Sequence, residues 1–203
     1  MLSPVITLIQ SLALAYLSGI SLYATVALLG VATRMGWVGP LPGVLDGLAN
    51  PLVLTVATIL AAVEFGATLV PGIASLWETV HTFIRPPAAA FLAIATAWHI
   101  DPSLILVAGM LGGGLGLATH ATKLGLRVAV DTSPEPFSNG IVNTAELGVL
   151  ATISYLIWNH PIIALVTAII LLVLTVLLVR AVWRTIRNIL RGNWAAITRT
   201  SAP

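Results

Sequence analysis

Residues 109–146 read GMLGGGLGLATHATKLGLRVAVDTSPEPFSNGIVNTAE, and two kinds of chemistry meet in them. Gly109, Gly112, Gly113, Gly114 and Gly116 sit inside a long apolar run. His120, Lys123, Arg127 and Asp131 then recur at three- and four-residue steps, the spacing of one helix face. A proline-punctuated polar loop follows, and Glu146 lies at the start of the next apolar run. The first run is long enough to cross a bilayer, which takes ~20 mainly apolar residues. It also lacks the period-two alternation of barrel strands, so it reads as a membrane helix.

The whole chain supports that reading. It has 203 residues, 58% hydrophobic and 8% charged, with mean hydropathy +1.03. A soluble domain carries ~25% charged residues. A surface this poor in charge suits lipid, which excludes a soluble enzyme or a nucleic-acid-binding domain. With Cys 0 there is no disulfide, thiolate metal site or thiol nucleophile.

Working outward, six segments qualify as spans: 4–33, 52–70, 84–99, 103–130, 140–158 and 161–183. Breakers separate them: Pro40, Pro42 and Asn50-Pro51, then Pro71-Gly72, Asp101-Pro102 and Asn159-His160-Pro161. No basic residue precedes the first run, so 4–33 reads as a retained helix rather than a cleaved signal. Basic residues set the orientation. With the C-terminal arginines in the cytoplasm, Arg85, Lys123 and Arg127 also fall at cytoplasmic ends. Only Arg34 of the 9 Lys and Arg residues lies outside. Both termini are expected in the cytoplasm.

The expected fold is an all-α integral membrane domain over residues 1–190, followed by a basic cytoplasmic tail, 191–203. A duplication is expected within it, 4–99 against 103–190. Ala32-Thr-Arg-Met-Gly36 matches Ala121-Thr-Lys-Leu-Gly125, and Ala62-Val-Glu-Phe-Gly66 matches Thr144-Ala-Glu-Leu-Gly148. Three spans per copy would invert one copy relative to the other, with a glycine-interrupted first helix in each half.

Several residues are expected to carry specific chemistry. For Gly112, Gly113, Gly114 and Gly116 two readings stand: close helix packing, or a broken helix whose free backbone lines a cavity. Each glycine costs ~1 kcal/mol of helix propensity against Ala, and the second reading explains why so many are spent. Glu64 and Glu146 lie within apolar spans, where an ionised group costs at least ~2.5 kcal/mol and needs a partner. Lys123 and Glu146 are expected to face each other or to share a polar cavity with His120, and Glu64 is the alternative partner. The set Glu64, Gly112, Gly113, Gly114, Gly116, His120, Lys123 and Glu146 is the expected path for a substrate or ion. No metal site is expected, because the histidines show no His-x-x-x-His or Glu-x-x-His pair. No nucleophile, phosphate-loop or dinucleotide motif appears, so neither an enzyme nor a cofactor is expected.

The loop Asp131, Thr132, Ser133, Pro134, Glu135, Pro136, Phe137, Ser138, Asn139 is too patterned for a spacer. Its two prolines fix its shape, and Ser138 or Asn139 is expected to cap the helix that follows. Here the chain resembles a known family. TSPEPFSN after HATKLGLR, with HTFIRPPAAA at 81–90, is similar to the bacterial membrane family domain of unknown function 4126, over about residues 15–160. The resemblance implies a multi-spanning protein of the bacterial cytoplasmic membrane and carries over no activity.

The leading functional expectation is a small transporter or channel for an ion or small solute. The alternatives are a lipid-handling protein and a non-transporting scaffold. The expected partners are the bilayer, anionic lipid at the arginine-rich C-terminus, and further copies of the chain; nucleic acid is not one.

Overall fold

The computed structural model describes residues 3–70, 72–130 and 136–190, and these form helices joined by short turns. Local sequence sets most boundaries. Ser3 accepts a hydrogen bond from the Ile6 amide and Pro4 opens α1 (Pro4–Ile20). Ser21 then leaves helical geometry, at φ −150° and ψ 111°, and its hydroxyl caps α2 (Leu22–Arg34). A 3-10 turn, Gly43–Ala49, leads into α3 (Pro51–Ala67), which Asn50 caps. Gly72, at φ 85°, precedes the short α4 (Ile73–His81). Arg85-Pro86-Pro87 opens α5 (Arg85–Ala97). Three long helices complete the chain: α6 (Pro102–Val130), α7 (Pro136–Asn159) and α8 (Pro161–Leu190).

α1 is the central element. It packs on α5, α6, α7 and α8, and Ala13, Leu14, Ala15 and Leu17 are fully buried. The exposed surface is apolar instead. α8 presents Ile162, Val166, Ile169, Ile170, Val173, Leu174 and Leu177, each about half exposed or more. Polar inside and apolar outside is the distribution a lipid solvent selects.

Three helices are long and apolar enough to span a membrane: Pro102–Val128, Asn139–Asn159 and Pro161–Ala181. Taking the 3-10 turn and α3, bent by 71°, as one span gives up to four. Six spans are expected from the sequence, the first of each half interrupted. The segment expected at 4–33 is broken at Ser21. The one expected at 84–99 is a 13-residue helix, ~20 Å long against a ~30 Å hydrocarbon core. The first half is thus short and bent where the second is long and continuous.

The glycines of α6 do not interrupt it. They remove side chains where α6 meets α5 and α1. A Cβ on Gly112 would stand 2.5 Å from the Ala93 Cβ, and one on Gly113 would stand 3.2 Å from that of Ala90. A Cβ on Gly116 would collide with Ala89, and one on Gly19 of α1 would lie 2.6 Å from the Gly116 carbonyl oxygen. Around these close approaches Ala15, Ala89, Ala93, Ala97 and Ala108 form a buried all-alanine cluster. The expected glycine-interrupted helix in the second half is therefore corrected. Van der Waals attraction between closely apposed backbones offsets the propensity cost. Gly114 meets nothing within 4 Å.

Candidate functional site

A charge cluster occupies the interior where α1 breaks. Its anchor is Lys123 on α6, only 5% exposed. The ammonium donates to the Ile20 carbonyl oxygen at 2.7 Å. It also lies 2.9 Å from Glu146 Oε2, 3.2 Å from Glu78 Oε1 and 3.4 Å from Glu64 Oε1. The Ile20 carbonyl is available because Ser21 is extended. In an unbroken helix it would accept from the Ala24 amide; here that amide bonds to Ser21 Oγ at 3.3 Å. The Ser21 hydroxyl in turn donates to Glu64 Oε2 at 2.7 Å.

Two arginines complete the network. Arg85, 0% exposed, joins Glu64 Oε1 at 2.5 Å and also bonds to Glu78. Arg127, equally buried, donates to Asn139 Oδ1 at 3.0 Å, bonds to Asn143, and lies 3.4 Å from Glu146 Oε2. Asn143 reaches on to Thr68 Oγ1 at 2.9 Å. Arg85 also donates to His120 Nδ1 at 3.0 Å, and His120 Nε2 meets Thr82 Oγ1 at 2.9 Å. Donation to Nδ1 makes it an acceptor, so the ring proton sits on Nε2 and the imidazole is neutral. The cluster then balances: Glu64, Glu78 and Glu146 against Arg85, Lys123 and Arg127. Balance is what permits six ionised groups in a medium where each alone would be expensive.

Two cavities flank the Lys123–Glu146 bridge. The smaller, about 20 Å³, has a mixed lining: Ser21, Glu64, Thr68 and Asn143 join Lys123 and Glu146, with apolar groups such as Ala61, Phe65 and Leu150. It has room for about one water. The larger, about 250 Å³, is lined almost wholly by apolar groups from α1, α6, α7 and α8. It fills a gap between α6 and α7, which scarcely pack on each other although they are consecutive. Ile141 at its mouth is 56% exposed.

The expected Lys123–Glu146 contact is present, and Lys123 also takes the alternative partner, Glu64. His120 joins the network through Arg85 but lines neither cavity. Gly112, Gly113, Gly114 and Gly116 line neither cavity as well, because their missing side chains are filled by helix contacts or, for Gly114, face open space. Asp131, Thr132, Ser133, Pro134 and Glu135 lie outside the described residues, as does the tail 191–203. Pro136 opens α7, which places Phe137, Ser138 and Asn139 inside its first turn. Asn139 therefore receives Arg127 within the helix instead of capping it.

Four members of the cluster escaped the sequence reading: Glu78, Asn143, and Arg85 and Arg127 as buried ions. One signal existed. Glu78, His81 or Thr82, and Arg85 follow at three- and four-residue steps, a polar stripe entering an apolar segment. Among the described residues no group of three His, Cys, Asp or Glu is placed to hold a metal ion. The carboxylates stand around an ammonium at 2.9–3.4 Å, wider than the 2.0–2.6 Å of hard metal ions.

No curated protein and no solved structure matches this chain. The family model described as Domain of unknown function (DUF4126) matches residues 8–181, most of the chain, and the protein belongs to that family.

Proposed function

We propose that this protein is a small membrane transporter whose path passes through the Lys123 cluster and whose substrate is a small cation. The observation that carries the proposal is the coordination of Lys123. Three carboxylates and a freed carbonyl converge on one buried ammonium, which lines two cavities at once. A lysine in that position is a tethered competitor: a cation that takes its place leaves the charge count unchanged. Broken membrane helices whose freed carbonyls meet cations are a recurring transporter device.

In this reading α1–α2, the bent pair ending in α3, and α4–α5 complete six crossings with α6, α7 and α8. Both termini face the cytoplasm of a bacterial cell, and the arginines beyond residue 179 meet anionic lipid. The halves 4–99 and 103–190 are inverted copies. In support, the matching residues Glu64 and Glu146 arrive at the same lysine. The protein performs no covalent chemistry and needs no cofactor, and oligomers of the chain are the expected assembly.

The test is flux through the full-length protein reconstituted in liposomes, with ammonium and sodium gradients read by an internal pH dye and by tracer. Flux is expected in the wild type, with loss in Glu146→Gln. Wild-type flux no greater than that of protein-free liposomes overturns the proposal.

A further inference from the structure

The larger cavity has a chemistry of its own. Its walls are side chains such as Leu126, Val149, Leu171 and Leu172, and its inner end is the Lys123–Glu146 bridge. The two charges are not equally presented. The Glu146 side chain is 17% exposed, against 5% for Lys123, so the accessible polar group at the floor is a carboxylate. The mouth lies between α6 and α7, with Thr122, Ile141 and Ala145 around it. These are faces of two helices long and apolar enough to cross a bilayer. Set in a bilayer, these faces would turn the opening toward lipid. At about 250 Å³ the cavity falls below the ~300–1,000 Å³ of sites for drug-sized ligands.

We propose that this cavity is a binding site for a small lipophilic amine, admitted from the bilayer, whose ammonium takes the Glu146 carboxylate from Lys123. The proposal rests on the transport reading above and names its substrate class. Three features select that class. The apolar walls accept an alkyl or aryl body. The floor offers a carboxylate already holding an ammonium at 2.9 Å. The Glu146 carboxylate also attracts a cationic head and repels an anionic one, while a neutral head gains no ion pair there. Lys123 keeps Glu64, Glu78 and the Ile20 carbonyl when Glu146 is taken. No bond is made or broken; one hydrogen-bonded ion pair replaces another.

The experiment uses the full-length protein in nanodiscs and compares octylammonium, octanoate and octanol. Binding is read as ligand-induced change in thermal stability, with empty nanodiscs correcting for partition. Octylammonium is expected to bind at least tenfold more tightly than either analogue. Glu146→Gln should reduce its affinity at least tenfold. Ala145→Trp, which fills the mouth without touching an ion pair, should abolish binding while the protein stays folded. Tighter binding of octanoate, equal binding of all three, or octylammonium affinity unchanged in both variants would overturn the proposal. Because no flux is measured, the two readings fail separately. Amine binding without flux removes transport and leaves the site; flux without amine binding removes the substrate class alone.

Discussion

Lys123 and Glu146 bridge at 2.9 Å across a gap that their own helices do not close. Side chains, not helix packing, hold α6 to α7 at this depth, and Arg127 adds its bonds to Asn139, Asn143 and Glu146 from one turn further along.

The partners of this bridge have unequal reserves. Glu146→Gln takes a charged partner from both Lys123 and Arg127 but leaves Lys123 two carboxylates and a carbonyl and Arg127 its two asparagines, so it should cost about 1.5–3 kcal/mol, the worth of a hydrogen bond to a charged group. Lys123→Met leaves three carboxylates facing two arginines and should cost about 3–5 kcal/mol, as breaking a buried pair does. The double variant Lys123→Met with Glu146→Gln restores the balance and should be more stable than Lys123→Met alone. Thermal unfolding of the three proteins in one detergent checks the order.

Arg85 serves two carboxylates at once, on α3 and on α4. Arg85→Lys keeps the charge but loses the planar fork, so it should still be destabilising, by about 1–3 kcal/mol. Arg85→Gln should cost about 3–5 kcal/mol, and adding Glu78→Gln should recover part of that loss. Equal stability of Arg85→Lys and wild type would contradict the bidentate role.

The glycines of α6 separate by what they face. Gly112→Ala and Gly116→Ala press a methyl against Ala93 and Ala89 and should cost about 1–3 kcal/mol through overpacking. Gly114→Ala has no neighbour within 4 Å and should be neutral, or stabilising by up to ~1 kcal/mol from helix propensity. Parallel unfolding measurements on the three variants test the contrast.

At the α5–α6 turn, Asp101 Oδ1 accepts from the Ser103 amide at 2.8 Å and from its hydroxyl. These bonds favour the ionised form and hold its carboxyl below the ordinary range for aspartate. A lowered folded pKa places the stabilisation above the unfolded pKa, so it is present at neutral pH and lost as pH falls through the lowered value. Amide exchange at the start of α6 should therefore quicken on acidification. Asp101→Asn should remove that acid dependence.

Much of the site was legible because charge in lipid is costly enough to demand a partner. Lys123 and Glu146 follow from that cost and from helix spacing alone. Glu78 did not, because a short amphipathic segment reads as surface when its sequence is taken by itself. Burial of α4 against the membrane helices reverses that meaning. Arg85 and Arg127 look like interfacial markers for the same reason, yet both are fully buried. Of the two interrupted helices expected, the one in the first half breaks, at Ser21, and the one in the second half does not. The glycines of α6 are retained in a continuous helix by their tight neighbours, whereas Ser21 supplies its own cap and Glu64 an acceptor for it. Tertiary partners, invisible in the chain's order, chose between the two sites.

The kink at Ser21 ties backbone shape to the position of one ammonium. While Lys123 stays, the Ile20 oxygen has a donor and α1 remains bent. If Lys123 withdraws, that oxygen must find another donor or go unsatisfied, at a cost of ~1–3 kcal/mol. The nearest replacement is the Ala24 amide, and reaching it means straightening α1 into α2. Since α1 touches four helices besides α2, a change of a few ångströms at one lysine would be levered through the whole bundle.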